Sequence, residues 1–129
     1  LTDDDAEEAR AVLRTLQELI NARDLDGLLE LFAEGSVLIG TSGDGRDPSG
    51  VGRYLEAVVA QPGELRWEWA EVVPFHRAAG TVGFAAFGDL VLAENGSEWR
   101  KPIRMTGLAV REGERWRLRQ FHGSIPFGG

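Results

Sequence analysis

The chain has 129 residues, 43% of them apolar and 27% charged, and its 21 acids against 14 Lys and Arg give a formal net charge of −7. That size and balance fit one globular domain, residues 1–129, with a real core, and the acidity argues against nucleic acid as a partner, which needs stripes of Lys and Arg to track phosphates. The chain has no cysteine, so disulfides, thiolate nucleophiles and zinc–thiolate sites are excluded.

No apolar run approaches the roughly 18 residues of a membrane helix, so no membrane partner is expected. The acidic N-terminus has neither the basic nor the apolar region of a signal peptide. Leu1 in place of Met is consistent with removal of an upstream piece. The expected setting is the cytoplasm.

Thr2 or Asp5 can cap a first helix, and Asp5 has Glu8 three residues on, as in a capping box. From Ala6 to Ala22, the residues Ala9, Val12, Leu13, Leu16, Leu19 and Ile20 fall on one helical stripe. Glu7, Arg10, Arg14 and Gln17 cover the other side. Asp24 is a second N-cap, and Leu25, Leu28, Leu29, Leu31 and Phe32 predict a short helix stopped near Gly35. Ser36 to Gly40 is a short β run. A glycine-dense loop follows, from Gly40 to Gly50. Asp47 and Pro48 then start a third helix, which carries Tyr54, buries Val51, Leu55, Val58 and Val59, and ends near Ala60 before Gln61-Pro62-Gly63.

Everything after Gly63 reads as β. Leu65 to Arg77 places Trp67, Trp69, Val73 and Phe75 at alternate positions. Ala79-Gly80 is a turn, and Thr81 to Ala93 is a second long strand. Asn95-Gly96 is a strong hairpin signal; it also matches a glycosylation pattern with Ser97, but the turn reading wins without a secretory signal. The third long strand spans Trp99 to Glu112 and the fourth Arg115 to Pro126. Their short connections make these strands antiparallel neighbours. Arginines alternating between Arg111 and Arg119 describe a solvated or paired sheet face. The order predicts an α+β fold: three helices packed on a curved, mainly antiparallel mixed sheet that wraps them into a cone.

Three stretches resemble the SnoaL-like domains of the NTF2-like (cystatin-like) superfamily, in the subgroup related to the association domain of calcium/calmodulin-dependent protein kinase II. They are Ala22-Arg23-Asp24-Leu25-Asp26-Gly27-Leu28, the loop Gly40-Thr41-Ser42-Gly43-Asp44, and the closing hairpin. The hairpin runs from Arg104-x-Thr106-Gly107 through Trp116-Arg117-Leu118 to Phe121-His122-x-Ser124-x-Pro126. The chain departs from the pattern at Gly45, where the family often has Glu. It also has Gly107 and Gly123 near positions where the kinase domain carries pocket arginines, which argues against an anion pocket of that type. The resemblance implies a cone with a cavity at its open end, hosting binders, isomerases, cyclases, dehydratases or oligomerisation domains.

Asp89 lies in a β run between Phe87 and Val91, and a carboxylate in an apolar cavity can act as a general base. It can equally be a surface residue paired with Arg104. His122 belongs to the closing motif and is either a proton donor or a structural residue at the pocket rim. His76 sits near a strand edge. Two isolated histidines make no metal site, and no cofactor is expected. Ser124 shares a face with His122, but the chain lacks the nucleophile elbow of a hydrolase. The glycines of the Gly40 loop lack a P-loop Lys or a full dinucleotide fingerprint. Tyr54, Trp67, Trp69, Phe84, Met105 and Phe121 are the candidate lining of an apolar pocket.

The favoured function is a small-molecule-binding protein. Any catalysis would be cofactor-free acid–base isomerisation, cyclisation or dehydration of an apolar carbonyl compound, with Asp89 as base, His122 as acid and Tyr54 as orienting group. The alternative is a non-catalytic association domain that mediates oligomerisation. In either case a homodimer is expected to bury the outer face of the sheet.

Overall fold

The computed structural model describes residues 1–128. In chain order these form α1 (Asp3–Asn21), α2 (Leu25–Leu31), β1 (Phe32–Ile39), β2 (Asp44–Gly45) and α3 (Pro48–Ala60). The four long strands follow: β3 (Glu64–Ala78), β4 (Thr81–Glu94), β5 (Ser97–Glu112) and β6 (Arg115–Ser124). All six strands join one sheet in the order β2-β1-β6-β5-β4-β3. Only the β1–β6 pair is parallel; the others are antiparallel. The expected three helices on a mixed sheet are present.

Helix α1 starts earlier than Asp5 because Thr2 is its cap: the Thr2 hydroxyl accepts from the Asp5 amide, and the Asp5 carboxylate accepts from the Thr2 amide. The capping box is therefore Thr2 with Asp5, not Asp5 with Glu8. Its apolar stripe, Ala9, Val12, Leu13, Leu16 and Ile20, is buried in the core. Arg23 follows in the left-handed conformation, φ 53°. Its guanidinium donates to the carbonyls of Val59, Gln61 and Gly63 and ties this turn to the end of α3.

Helix α2 stops at Leu31, so Phe32 opens β1 rather than closing the helix. Gly35 does not stop a helix. It lies inside β1 at φ 76°, where the pairing with β6 slips between Phe32 and Val37. Only glycine takes that conformation freely, and a bulge needs it. The Gly40 loop is also more ordered than a plain linker, since Asp44 and Gly45 pair back onto Ile39 and Leu38.

The register of β3 carries the largest correction to simple alternation. Trp69 pairs with Gly88 and Glu71 with Phe87, leaving Ala70 as an extra residue. One inserted residue exchanges the two faces of a strand. Trp67 and Trp69 therefore face the helices and Val73 faces outward; Phe75, the extra residue of a second shift between Pro74 and His76, lies over Gly83 on the same outer face, and the two are 38% and 57% exposed. Gly88 sits opposite the bulge, where any Cβ would collide with the Glu68 carbonyl.

Gln17 is not a plain solvent-side residue either. Its amide nitrogen donates to the Leu65 carbonyl at 2.8 Å, and its amide oxygen accepts from the Trp67 N–H at 2.6 Å. β3 is a sheet edge with unpaired backbone groups, and Gln17 pairs with two of them as a neighbouring strand would. This fixes α1 over the tryptophan side of the sheet. At the other end, Arg77 bonds Asp5 at 2.8 Å and Glu8 at 2.7 Å, and stands 6.0 Å from the centre of the Trp116 ring. That end of the cone is closed by charge and ring; the core behind it is filled by Phe84, Val82 and Leu118, all fully buried.

Candidate functional site

The opposite end of the cone is hollow. Helix α1 supplies Leu16 and Ile20 to its roof, and α3 supplies Tyr54, Leu55 and Val58, which recur at helical spacing on one side of the helix. The sheet supplies Leu65, Trp67, Leu90, Trp99, Ile103 and Phe121 from its inner face. Together they enclose about 210 Å³. A larger hollow of about 300 Å³ adjoins it and shares Ile20, Val58, Gln61, Leu65 and Leu92. In that second space the carbonyls of Gln61 and Gly63 already accept from Arg23. The apolar cavity is thus the better candidate for a ligand.

Its walls are pre-arranged. The Trp67 ring stacks on Trp69, with centroids 6.3 Å apart and planes 14° from parallel, and meets Phe121 at 6.0 Å and 52°. Gln17 pins the backbone of the same strand. Gly123 forms part of the floor, where an added Cβ would stand 3.4 Å from the Phe121 ring and 3.6 Å from Ile103. Those are ordinary contact distances, so glycine is not forced there by crowding; it leaves space. Gly40 differs. A Cβ at that position would collide with the Tyr54 hydroxyl, which lies directly against the glycine.

Thr41, Ser42, Tyr54 and Gln61 contribute to the lining, and no Asp, Glu, His, Lys or Arg side chain does. Among the described residues, the Tyr54 hydroxyl has no hydrogen-bond partner.

Of the candidate pocket residues, Tyr54, Trp67 and Phe121 line this space. Trp69 does not; it backs the Trp67 ring. Phe84 and Met105 lie further toward the closed end, 0% and 2% exposed, and are packing residues of the core. The two candidate acid–base groups also lie elsewhere. Leu90 and Leu92 face the cavity, so Asp89 between Gly88 and Leu90 faces out, and its carboxylate bonds Arg100 at 2.9 Å rather than Arg104. Phe121 and Gly123 face in, so His122 faces out, exposed, between Ile39 and Thr106 on the neighbouring strands. His76 is exposed beside Gly83 on β4. Ser124 accepts from Arg104 at 3.3 Å. No group of His, Asp and Glu among the described residues is placed to hold a metal ion.

Asp89 belongs to a charge network on the outer face. Arg100 bonds Glu68 at 2.6 Å, Asp89 at 2.9 Å and Glu98 at 3.4 Å; Arg66 bonds Glu68 at 3.0 Å and Glu98 at 3.5 Å. Hydrogen bonds from Arg100 and then Arg66 hold the Glu68 carboxyl below its ordinary range. The Arg100 guanidinium is raised in turn, first by its bond to Glu68 and then by Asp89. The network covers Val91, which is 0% exposed between its cross-strand partners Arg66 and Arg100. Arginine stems commonly cover apolar surface in this way.

The profile of the SnoaL-like domain family matches residues 9–128. The chain belongs to the SnoaL-like domain family. Solved structures with the same fold include an NTF2-like protein of unknown function from Pseudomonas putida KT2440, 18% identical, with a TM-score of 0.77 over 98% of this chain and 89% of that one. A candidate dehydratase of the NTF2-like family from Streptomyces avermitilis is 14% identical, with a TM-score of 0.82 over 96% and 98%. A candidate calcium/calmodulin-dependent protein kinase II association domain from Xanthomonas campestris is 16% identical, with a TM-score of 0.79 over 92% and 85%. At these identities the likeness establishes the SnoaL-like chain's fold alone. No curated protein sequence matches it. Among its described residues no helix is long and apolar enough to cross a membrane.

Among the lining residues that sequence reasoning did not single out are Thr41, Ser42, Gln61 and Trp99. Thr41 and Ser42 belong to the glycine-dense loop, expected from sequence as a flexible loop near the cavity mouth but with no residue singled out, and Gln61 to a helix stop. Trp99 was read as a strand residue without a face. Each enters the site because a neighbouring element folds over it, and the sequence signals near them were for turns.

Proposed function

We propose that this SnoaL-like protein binds a small apolar molecule in the cavity between α1, α3 and the open end of the sheet. The single observation that carries the reading is the cavity of about 210 Å³, walled by ordered aromatics and left open by glycine at position 123. Packed interiors hold few voids larger than water. A void lined mainly by apolar side chains, with a few polar groups among them, is the usual form of a ligand site.

The isomerase, cyclase or dehydratase version of this reading has less support. Asp89 and His122 stand on the other face of the sheet, and proton transfer needs a group within hydrogen-bond reach of the ligand. No Asp, Glu or His side chain lines the cavity. We therefore favour binding over acid–base chemistry.

Native mass spectrometry of the purified protein, beside its Gly123→Leu variant, tests the proposal. A defined extra mass per subunit on the parent, absent from a folded Gly123→Leu, is expected. Extra mass retained by the variant would place the ligand outside the cavity and overturn the reading.

The homodimer belongs to the same proposal. Val73, Phe75 and Phe87 are 38%, 57% and 44% exposed on the outer face, and a second copy of the sheet would cover them. The same face supports a second reading, an association domain whose output is a larger assembly. The mass spectrum separates the two: a dimer with bound ligand favours the first, and a bare higher oligomer the second.

A further inference from the structure

The cavity's charge, shape and size constrain what it can hold. No Asp, Glu, His, Lys or Arg side chain lines it, and the polar contributions are Thr41, Ser42, Tyr54 and Gln61. An ionised group moved into such a space gives up its hydration with no counter-charge to meet it. Five of the lining residues, Phe32, Tyr54, Trp67, Trp99 and Phe121, are aromatic. Of these, Trp67 and Phe121 meet at 6.0 Å and 52°, and aromatic walls of this kind favour another ring, stacked offset or met edge to face. An apolar cavity of roughly 150 Å³ is known to accept benzene, so one of about 210 Å³ has room for one further fused ring, and a longer molecule would have to reach into the adjoining hollow beside Arg23.

The Tyr54 hydroxyl supplies direction. It rests against Gly40, beside Thr41 and Ser42, and has no partner among the described residues. Its ring is held from α3, and the glycine it touches cannot gain a side chain without displacing it. A hydroxyl so placed donates to an acceptor at the edge of a bound ring.

We infer that the cavity selects uncharged aromatic molecules of one or two fused rings, and that the Tyr54 hydroxyl orients them by donating to a neutral acceptor on the ring. The inference rests on the small-molecule reading above and narrows it to a ligand class. Tyr54 is a specificity residue in this account, with no bond made or broken.

Three probes with one skeleton test it: naphthalene, 2-naphthol and 2-naphthoate, with a four-ring steroid as the size probe. Binding is followed by the amide resonances of Gly40, Tyr54, Phe121 and Gly123. The expected order is 2-naphthol first, naphthalene weaker, and 2-naphthoate weaker than 2-naphthol by at least about tenfold. The steroid is expected not to shift these amides. Tyr54→Phe, which keeps the ring, is expected to weaken 2-naphthol by roughly threefold to tenfold, the worth of one neutral hydrogen bond, and to leave naphthalene unchanged. Naphthoate or steroid binding as tightly as 2-naphthol in the parent, but not in Gly123→Leu, would overturn the ligand class while leaving the binding reading intact. Equal losses of naphthol and naphthalene in Tyr54→Phe would overturn the orienting role. If no probe shifts the four amides, the ligand class falls, and the retained-mass experiment separately decides the binding reading.

Discussion

Along β4 the even-numbered side chains and the odd-numbered ones meet different surroundings. Val82, Phe84, Ala86 and Leu90 lie under the helices and are at most 6% exposed, while Leu92 reaches the cavity. The alternate set starts with Ala85 and the exposed Phe87, passes Asp89 in its ion pairs, and ends on Val91 under arginine stems. The inner face is thus stabilised by dry packing against helices. The outer face has one apolar end, which a second subunit can cover, and one end covered by its own charges. The contrast fits the proposal of a ligand on one side of the sheet and a partner on the other. The chemistry of the two sides is separated by the thickness of a strand.

The largest expected effect falls on the inner face. Phe84 is 0% exposed, and its ring lies where a Cβ on Gly107 would touch it at 2.8 Å. Phe84→Ala removes the ring from the filled end of the cone, and neither the sheet nor α1 can close the gap. A loss of about 3–5 kcal/mol is expected, read from urea unfolding. A loss under about 1 kcal/mol would mean that this end is loosely packed and that the hollow and filled ends do not differ as described.

A moderate effect is expected where α1 meets the sheet. The Asp5 carboxyl is held below its ordinary range, first by the Thr2 backbone N–H, then by the Thr2 hydroxyl and by Arg77. A carboxyl depressed in the folded state contributes stability that is complete above its unfolded value near pH 4 and is lost as pH falls through the lower folded value. Glu68 on the outer face is shifted in the same direction, but its side chain is 43% exposed against 9% for Asp5, so solvent screens it more. Thermal melts from pH 7 down to pH 2 should show Asp5→Asn less stable than the parent at pH 7, with the gap closing below about pH 4. Glu68→Gln should show a smaller gap. A gap for Asp5→Asn that does not change with pH would rule out this linkage.

How far these differences can be read from sequence depends on the strand. The helical stripe of α1 and the Asn95-Gly96 hairpin were legible, because a period of 3.6 and a pair of left-handed turn residues are local signals; Asn95 and Gly96 take φ values of 52° and 79°. Faces were not. Trp67, Trp69, Val73 and Phe75 alternate perfectly in sequence, yet the bulge at Ala70 puts the tryptophans inside and Val73 outside, with Phe75 left on the outer face by the second shift. Nothing in the residues around Ala70 announces the bulge; the close approach of Gly88 on the next strand allows it. Gly35 shows the same limit from another direction, as a glycine that reads as a helix stop and serves as a strand bulge. The cavity itself arises from contacts between α1, α3 and residues of five strands, β1 and β3 to β6. Of its wall, Tyr54, Trp67 and Phe121 were recognisable from sequence, and Phe32, Trp99, Thr41 and Ser42 were not singled out.

The smallest expected effect falls on the two residues that chemistry alone would select. Asp89 can lose its charge without stranding a cation, because Arg100 keeps Glu68 and Glu98. His122 is exposed, and its ring has no ion-pair or hydrogen-bond partner among the described residues. Each substitution, Asp89→Asn and His122→Ala, is expected to change stability by less than about 0.5 kcal/mol, as for surface sites generally. Each should also leave 2-naphthol binding unchanged, since the cavity lies on the far side of β4 and β6. A calorimetric titration that found either variant weakened tenfold or more would mean that the outer face reaches the ligand. The separation of the two faces, and with it the case for binding over acid–base chemistry, would then fall together, because a group that acts on the ligand must touch it or act through one that does.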